Sequence, residues 1–535
     1  MHPLFYNTNT IHQDYIAESG KLNSFIRQPL NPDWKNICRD ILKSDQHRIF
    51  IKELIRQNQM NADAKVLDNL NLLEEKNTVI IITGQQLGLF LSPLYTVYKT
   101  ITTIMLADKL NAENHGFHFV PVFWLETEDH DFQEVNHFNF WTKDGTLANL
   151  NYEDVQGDKY VSIGNRGLDG KIVPILNQLR ENLQETEFTN SLFEALDRIY
   201  KPGRPWHEAF SEQMMMLFKE YGLLLFNPST ESVKEKSIGF FEEIVKKNSE
   251  LLNKIEDQSR HLEQSGYFQQ VHVQGDKSYL FYKTKEGKRE AIIRDGDFFR
   301  IFDHDEKLSG DQLIRMIHAN PGLVSSTVLT RPLWQSWMLP VASYVAGPAE
   351  IAYWAQISAA FDSLGIVMPH LKSRISATLI EPKIQRLLNK YEIDPDRLQP
   401  DADEFIADFF RADQFRDLDE IFMNLKKAID RYRQEITGKA IILDPTAAAP
   451  VEKTFDSIEA NMDRLAGRLI KKAQEQNALM TGHFETIYKA VLPEKHMQER
   501  YIGSIYFLNK YGPGWIQHLF DNLKLDRRSH QIIQL

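Results

Sequence analysis

Short apolar runs rich in β-branched residues alternate with segments of helical periodicity in the first quarter of the chain. Residues 78–83 form one run and residues 119–125 a second, and apolar side chains recur at helical spacing over residues 95–110 between them. Continuous apolar runs are typical of strands buried on both faces of a sheet. A strand, a helix and a strand of these lengths predict a right-handed crossover in a parallel sheet.

Later segments repeat this alternation and predict the rest of an α/β core. A helix near residues 209–220 leads into an apolar run at 223–226, and a helix at 350–365 lies between apolar runs at 343–346 and 366–369. Two segments interrupt the alternation, and the second contains three alternating runs that predict an antiparallel meander. The predicted divisions are a core with N-terminal helices at 1–137, a first insertion at 138–205, core at 206–261, a second insertion at 262–325 and core at 326–384.

Residues 385–495 have a different pattern, with apolar side chains three and four positions apart. One stretch runs from Leu418 to Ile436 and another from Phe455 to Leu469, with proline-containing breakers between them. This pattern predicts two antiparallel helices, each about 50 Å long at 1.5 Å per residue, in a coiled-coil arm. Because a two-helix arm buries only one seam, we expect a second copy to cover it in a homodimer. Residues 496–535 are predicted to be helices that return to the core.

Composition narrows the classes of function. Of the 535 residues, 42% are hydrophobic, and 74 acidic against 62 basic residues give a net charge of −12. This charge argues against nucleic-acid binding, which needs a basic surface. The only cysteine, Cys38, excludes an intrachain disulfide and a cysteine-rich zinc site. Because no apolar run reaches the about 18 residues of a membrane span and the N-terminus lacks a signal-peptide pattern, we expect a cytoplasmic protein without a membrane partner.

The first candidate ligand-binding residues follow the first predicted strand. The loop there contains Gly84, Gln85, Gln86 and Gly88, and Lys99 lies on the helix that follows. Ligands of parallel α/β sheets bind at the carboxyl ends of strands, and a helix N-terminus favours an anion. The loop lacks the residue spacing of the GxGxxG and Walker A motifs. It is compatible either with a binding loop or with a tight strand–helix turn.

An acidic segment follows the second predicted strand and contains Glu126, Glu128, Asp129, His130, Asp131, Glu134 and His137. His130, Glu134 and His137 are spaced i, i+4 and i+7, which predicts one face of a helix and a possible metal triad. Asp129 or Asp131 would instead suit Mg²⁺ bound with nucleotide phosphates. Acidic residues also favour the first turn of a helix. We predict a functional site here, at the same end of the sheet as the Gly84 loop.

Two further groups of candidates follow later strands. The first consists of Arg331, Gln335, Gly347, Glu350 and Tyr353. The second is a basic, hydroxyl-rich loop at 372–376 that includes Arg374 and could hold a triphosphate. Capping of a helix is the alternative role for Glu350, and basic loops are also common on protein surfaces.

Taken together, these motifs resemble the family of bacillithiol biosynthesis cysteine-adding enzymes, the cysteine ligases of low-molecular-weight thiol synthesis. The resemblance spans nearly the whole chain. The matching motifs are Thr83-Gly84-Gln85-Gln86, Pro93-Leu94-Tyr95, Tyr98-Lys99, Pro121-Val122-Phe123-Trp124, Glu128-Asp129-His130-Asp131, Glu134-Val135-Asn136-His137, Arg331-Pro332-Leu333, Gly347-Pro348-Ala349-Glu350, Ala352-Tyr353-Trp354 and Gln498-Glu499-Arg500.

The resemblance implies a Rossmann-like core similar to class I aminoacyl-tRNA synthetases, with two connecting-peptide insertions and a coiled-coil dimerisation arm. It implies an ATP-dependent ligase that joins cysteine to glucosaminyl-malate through an amide bond, the last step of bacillithiol synthesis. Mg²⁺ would be bound through the nucleotide, and no structural metal is expected. The catalytic candidates are then Glu128, Asp129, Asp131 and His130, the last as a proton acceptor. The candidates for binding substrate or nucleotide are Gly84, Gln85, Gln86, Gly88, Tyr95, Lys99, Asn136, His137, Arg331, Gln335, Gly347, Glu350, Tyr353 and Arg374.

Two other functions are compatible with the same residues. A metal-dependent hydrolase would use His130, Glu134 and His137 as ligands. A non-catalytic scaffold would bind nucleotide in the core and recruit partners through the arm. The sequence departs from the synthetase pattern at residues 84–88, where a His-x-Gly-His motif is absent, and at residues 372–376, which only partly match a Lys-x-Ser-Lys-Ser loop.

Overall fold

The computed structural model describes residues 10–44, 46–61, 63–153, 161–273, 275–285, 287–302, 304, 306–395, 398, 401–406, 409, 416–476, 478–526 and 529–535. The described residues fall into two compact units. The first contains residues 10–378 and 499–533, and the second contains residues 379–498 and the last two residues of the chain.

The strands form separate parallel and antiparallel sheets, which are described below. In chain order they are β1 (Thr78–Gln85), β2 (His118–Leu125), β3 (His137–Trp141), β4 (Leu147–Asn151), β5 (Leu224–Phe226), β6 (Lys277–Lys283), β7 (Arg289–Asp295), β8 (Phe298–Ile301), β9 (Lys307–Ser309), β10 (Val324–Ser326), β11 (Val341–Ala346), β12 (His370–Ser373), β13 (Ala377–Ile380) and β14 (Gln531–Gln534).

Helices account for most of the remaining regular structure. Among the described residues, none of them is both long and apolar enough to cross a membrane. The α-helices are Thr10–Ile16, Trp34–Ile41, His47–Asn58, Ala64–Glu74, Tyr95–Glu113, Phe132–Val135, Ile172–Asn182, Thr189–Ile199, Trp206–Phe218, Glu231–Lys236, Ile238–Lys246, Asn248–Gln264, Gly310–Ala319, Arg331–Met338, Pro348–Ser363, Pro382–Lys390, Arg416–Leu443, Ala448–Gln476, Ala478–Val491, Gln498–Tyr501, Ile505–Tyr511 and Gly514–Asn522.

The central sheet of the first unit has the strand order β12-β11-β1-β2-β5, and its neighbouring strands are all parallel. Later strands are added outward from β1 on one side through β2 and β5, and on the other side through β11 and β12. The strand order therefore changes direction between β1 and β11, which makes this the topological switch point of a doubly wound sheet. The predicted α/β class with a Rossmann-like parallel sheet is confirmed.

The amino-acid sequence explains why β1 and its crossover helix form the centre of this sheet. Val79–Ile82 are completely buried, as expected for a β-branched run covered on both faces. The helix Tyr95–Glu113 is also buried along most of its length although it contains several threonines. Thr100, Thr102 and Thr103 each donate a hydrogen bond to the carbonyl four residues earlier, at 2.6 to 2.9 Å. Their hydroxyls are thus satisfied within the helix and add no uncompensated polar group to the core.

An antiparallel sheet with the order β10-β6-β7-β8-β9 lies in the segment predicted to be a meander. Of the three predicted runs, the second forms β6 and the third forms both β7 and β8, but the first, at residues 267–274, forms no strand among its described residues. In the segment of the first predicted insertion, β3 and β4 form an antiparallel pair. The boundaries of both insertions stay predictions.

Two long helices, Arg416–Leu443 and Ala448–Gln476, form an antiparallel hairpin in the second unit. They contain 28 and 29 residues, which corresponds to about 42 Å each, shorter than the predicted length. Asp444 accepts a hydrogen bond from the backbone N–H of Thr446 and stabilises the connecting turn. Arg433 bonds Asp456 across the hairpin at 2.9 Å, and Lys426 bonds Asp463 at 2.8 Å.

Candidate functional site

A cavity of about 550 Å³ opens at the carboxyl ends of β1, β2 and β11, next to the switch point. The sequence-predicted residues that line it are Gly84, Gln85, Gln86, Tyr95, Lys99, Glu128, Asp129, His130, Glu134, Arg331, Gly347, Glu350, Tyr353 and Arg374. Loops that follow separate strands therefore meet at one edge of the sheet, which is where ligands of doubly wound folds bind.

Lys99 is the most deeply buried cation of this cavity. Its ammonium group is 2.7 Å from the carbonyl oxygen of Gly84 at the end of β1 and 2.6 Å from a carboxylate oxygen of Glu350. It also donates to the side-chain oxygen of Gln85, whose amide nitrogen donates to the hydroxyl of Tyr95. Lys99 therefore fixes the loop after β1 and is already neutralised by a carboxylate.

Glu350 lies in the first turn of the helix that follows β11. Its carboxylate accepts hydrogen bonds from the backbone N–H of Gly347 at 2.6 Å and from the hydroxyl of Tyr344 at 2.5 Å. Burial would raise the pKa of Glu350, but Lys99 and these donors outweigh burial and lower it. Glu350 is thus ionised, and the sequence-based capping role and a role in the cavity are both compatible with its contacts.

Arg331 connects this group to the end of β2. Its Nε donates to Glu126 at 3.1 Å and its Nη2 donates to the hydroxyl of Tyr353 at 2.6 Å. Burial raises the pKa of Glu126, and Arg331 opposes this effect. The remaining Nη1 of Arg331 is buried and has no hydrogen-bond partner among the described residues. A buried guanidinium donor without a partner is costly, so this nitrogen is suited to an anionic ligand oxygen.

Gln86 brings two carboxylates together at the mouth of the cavity. Its amide nitrogen donates to Asp129 at 2.6 Å and to Glu134 at 2.7 Å. The second oxygen of Asp129 accepts the backbone N–H of His130 at 2.7 Å. These contacts hold Asp129 in a fixed orientation and place two negative groups where an amine or a hydrated divalent cation could be bound.

His130 faces the guanidinium of Arg289, whose Nη1 lies 3.3 Å from the Nδ1 of His130. Because a guanidinium only donates, Nδ1 accepts this bond, and the neutral ring carries its proton on Nε2. Burial lowers the pKa of His130, and Arg289 lowers it further, against the influence of Asp129 and Asp131. In this arrangement the ring nitrogen that could accept a proton already has a donor.

The predicted metal triad is wrong in its geometry. The helix after β2 spans only Phe132–Val135, and His137 begins strand β3 instead of continuing a helical face. The chain cannot continue as a helix here because the residues from His137 onward pair with β4. Within the described ranges, no group of three or more histidine, cysteine, aspartate or glutamate side chains could hold a metal ion.

Five predicted site residues lie outside the cavity lining. Asp131 is exposed, and His137 contacts the carbonyl of Gln133 through Nδ1. Asn136 is buried and donates to the carbonyl of Tyr152. Gln335 is completely buried, and its amide group has no hydrogen-bond partner among the described residues. The fifth, Gly88, is buried, and a Cβ atom there would lie 1.9 Å from the carbonyl oxygen of Ser92, so close backbone packing explains this glycine.

Two other predicted residues line the cavity but already have charged partners. Glu128 forms an ion pair with the buried Lys234. Arg374 forms a two-pronged pair with Glu499, with nitrogen–oxygen distances of 2.6 and 3.0 Å. A phosphate at Arg374 would therefore have to compete with a buried carboxylate.

Sequence reasoning gave no role to several residues that line the cavity, chiefly Arg289 and Arg500. Glu126, which directly follows β2, belongs to the predicted acidic segment but was not among the individual candidate site residues. Arg500 belongs to the motif at residues 498–500, but it had been given no role. Arg289 begins β7 of the meander, and no local pattern indicates that it reaches the central sheet. Arg500 has no ion-pair partner among the described residues, so it adds an unneutralised cation to the cavity.

The fold and the position of the cavity define an α/β protein of the Rossmann-like class with an attached helical unit. Family models agree with this class. Residues 3–375 match "Bacillithiol biosynthesis BshC, N-terminal Rossmann-like domain", and residues 377–535 match "Bacillithiol biosynthesis BshC, C-terminal coiled-coil domain". The chain therefore belongs to the BshC family of bacillithiol biosynthesis, which confirms the predicted resemblance and the coiled-coil prediction.

Relatives similar over nearly the full length carry the name "Putative cysteine ligase BshC". The protein from Salinibacter ruber is 30% identical over 91% of this chain and 88% of its own length, and that from Koribacter versatilis is 30% identical over 96% and 95%. The protein from Bacillus licheniformis is 26% identical over 98% of both chains. These names agree with the ligase class expected from the sequence.

A solved structure from Campylobacter jejuni, assigned as an arginyl-tRNA synthetase, covers 89% of this chain and 98% of its own with a TM-score of 0.21 and 10% identity. A similarity of this size supports no inference about function.

The close packing at Gly88 gives a first prediction. Gly88→Ala should lower the free energy of unfolding by about 1–3 kcal/mol, because the added methyl group overlaps the Ser92 carbonyl. Denaturant titration measures this difference. Gly170→Ala is the matched control, since a Cβ atom there would contact nothing within 4 Å. Unchanged stability together with lost ligand binding would instead support a ligand-contacting role for Gly88.

The pair between Arg374 and Glu499 gives a second prediction. Glu499→Gln should destabilise the protein by about 3 kcal/mol, because it leaves a buried guanidinium without a counter-charge. Burial acts to raise the pKa of Glu499, but Arg374 outweighs it and lowers the pKa. The stabilisation is thus present above the ordinary glutamate pKa and lost as the pH falls through the lower native value.

Denaturant titrations at several pH values should therefore show the difference between wild type and Glu499→Gln narrowing in acid. The control is Glu74→Gln, because Glu74 is exposed. A difference that stays constant from neutral to acidic pH would contradict an ionised Glu499.

Proposed function

We propose that this protein is an ATP-dependent ligase that joins the carboxyl group of cysteine to the amine of glucosaminyl-malate, as the last step of bacillithiol synthesis. The observation that carries the proposal is the cavity at the switch point, where unneutralised donors and fixed carboxylates face one ligand space. Amide formation needs both kinds of group, since an anionic activated acyl group and an amine must be held side by side. The names of the relatives support cysteine as one substrate.

The residues of the cavity fit a phosphate-bearing nucleotide. Nη1 of Arg331 is a buried donor without a partner, and Arg500 is a cation without an ion pair among the described residues. Charged donors of this kind bind phosphate oxygens strongly. ATP, when bound, would supply the activation that a carboxylate needs before an amine can attack it. Arg331 and Arg500 would hold its phosphates, and Asp129 with Glu134 would contact the accompanying Mg²⁺ or the amine.

Asp129 is our candidate for the group that binds and deprotonates the attacking amine. Its carboxylate is oriented by Gln86 and by the backbone N–H of His130, and it lines the cavity. His130 is less suited to accept a proton here because Arg289 donates to its Nδ1. In this interpretation His130 helps to position Arg289 and Asp129. Since nucleotide and thiol metabolites are substrates, we also propose a cytoplasmic location.

The arm supports a second part of the proposal, a homodimer. Among the apolar side chains of the hairpin that are 37% to 60% exposed are Ile421, Leu425, Tyr432, Ile436, Ile458, Leu465 and Leu469. They recur at heptad-like spacing, as expected for a seam that packs against further helices. We propose that a second copy of the arm covers this surface through a two-fold symmetric contact.

Product formation from ATP, cysteine and glucosaminyl-malate tests the catalytic proposal. Asp129→Asn should lower kcat/KM by about 10²–10⁴-fold, the range for loss of a general acid–base group. The control is Asp144→Asn, an exposed turn residue of the same type. Full activity of Asp129→Asn would remove Asp129 from the reaction, and the absence of product with the wild-type protein would refute the proposed activity.

Sedimentation velocity tests the homodimer. The wild-type protein should sediment as a dimer of the 62.3 kDa chain, whereas Leu425→Glu combined with Leu465→Glu should sediment as a monomer because charges interrupt the apolar surface. Gln434→Glu adds a charge at an exposed polar position of the same helix and should leave the dimer intact. A monomeric wild-type protein at micromolar concentration would contradict this assembly.

A further inference from the structure

A second, smaller cavity of about 280 Å³ adjoins the first, and Glu128 and Arg289 line both. Four parts of the first unit contribute to its wall: the segment after β2, the segment after β5, the first predicted insertion, and the antiparallel sheet with the residues just before β10. The polar residues used below are Lys234, Lys283, Arg289, Ser162 and Ser325. Neither the sequence motifs nor the proposed reaction has assigned a role to this space.

Two cations in the wall of this cavity occupy directly paired positions of the antiparallel sheet. Lys283 at the end of β6 is the register partner of Arg289 at the start of β7. Directly opposed residues of an antiparallel pair point to the same face, and like charges at such positions destabilise the sheet. The pair therefore costs stability unless an anion lies between or beside the two groups.

Among the described residues, no carboxylate lies within ion-pair distance of either cation, and Glu128 acts on both only from farther away. The side chain of Lys283 makes no hydrogen bond or ion pair among the described residues, and Arg289 has no carboxylate at ion-pair distance there. Arg289 instead donates to the hydroxyl of Ser325 at 3.1 Å, to the carbonyl of Ser326 at 2.6 Å and to His130. Burial lowers the pKa of Lys283, and Arg289 lowers it further against the influence of Glu128.

Glu128 cannot compensate both cations because it already neutralises a third. Lys234, which is 4% exposed, forms an ion pair with Glu128 and donates to the carbonyl of Val324. The other acidic residues of the lining, Glu231 and Glu235, are exposed to solvent. The inner wall thus carries two positive charges beyond those balanced by its buried carboxylate.

We propose that this second cavity binds the dicarboxylate arm of the amine substrate, with Lys283 and Arg289 as its two cationic contacts. The inference rests on the proposed ligase function and identifies the part of the substrate that this space recognises. Two cations suit two carboxylates, and the hydroxyls of Ser162 and Ser325 offer further hydrogen bonds. Because Arg289 lines both cavities, an arm bound here would let the amine of the same molecule extend toward the first cavity, which Asp129 lines.

Steady-state kinetics test the proposal with Lys283→Met. We expect the KM for glucosaminyl-malate to rise about tenfold or more, the effect of losing one charged hydrogen bond, with kcat nearly unchanged. The matched control is Lys277→Met, which removes the same charge from an exposed position on the same strand. An unchanged KM in Lys283→Met would overturn the proposal.

Thermal unfolding measurements distinguish a ligand-binding role of Lys283 from a purely structural one. Lys283→Met should unfold at the same temperature as the wild type or higher, because it removes an unfavourable like-charge contact. L-malate should raise the unfolding temperature of the wild type and of Lys277→Met, and the rise should be lost in Lys283→Met. Lower stability of Lys283→Met without ligand, or an equal malate shift in all three proteins, would overturn the proposal.

The anion in this cavity could be a carboxylate of the amine substrate or a phosphate of the nucleotide. A parallel titration with inorganic triphosphate distinguishes these two ligands. Stabilisation by triphosphate but not by malate, lost in Lys283→Met, would assign the cavity to the nucleotide and overturn the proposal. The malate measurement does not depend on turnover. If the wild-type protein forms no product yet malate binds through Lys283, the ligase function fails and the anion site stands.

Discussion

The ion pair between Lys99 and Glu350 joins the two halves of the sheet at the point where its strand order changes direction. Lys99 belongs to the helix after β1 and Glu350 to the helix after β11, and both are charged groups largely removed from water. Losing either partner would leave a buried charge uncompensated, which typically costs about 3–5 kcal/mol. The relative placement of the two loops is therefore fixed by this contact.

The remaining polar groups of the cavity extend from this pair. Tyr344 donates to Glu350, Arg331 donates to Tyr353 and lies near Tyr344, and Glu126 accepts from Arg331. A continuous set of contacts thus runs from the end of β11 to the end of β2. Buried polar networks are most stable when every member is hydrogen-bonded, and Nη1 of Arg331 is the member that has no partner among the described residues, which is why our proposal places a ligand oxygen there.

Much of this arrangement could be predicted from the sequence because it follows from local patterns. Continuous apolar runs such as Val79–Ile82 are recognisable as buried strands, and residues that follow parallel strands gather at one edge. The short helix Phe132–Val135 was mispredicted because its end is set by pairing of β3 with β4, a tertiary contact that overrides helical spacing.

The sequence could not show which acidic and basic side chains form ion pairs with each other in the folded protein. Arg374 and Glu499 are separated by 125 positions, so neither residue type nor spacing indicates that they neutralise each other. The same holds for Lys99 with Glu350 and for Lys234 with Glu128. A basic residue after a strand predicts a possible anion contact, but the three-dimensional partner decides whether its charge is available to a ligand.

The division between sheet and insertions has a consequence for how the site recognises its ligands. Groups at strand ends, such as Asp129 and Glu350, are held by the rigid central sheet and by short contacts to the backbone. Arg289 and Lys283 come instead from the antiparallel sheet, whose strands pair with one another and not with those of the parallel sheet. Groups that must be aligned within fractions of an ångström for bond formation are best held by the parallel central sheet. Groups that only select the charge and size of a substrate can come from the antiparallel sheet of the second predicted insertion. The bond-forming chemistry should therefore depend on the parallel sheet, and the choice of amine substrate should depend on the insertion.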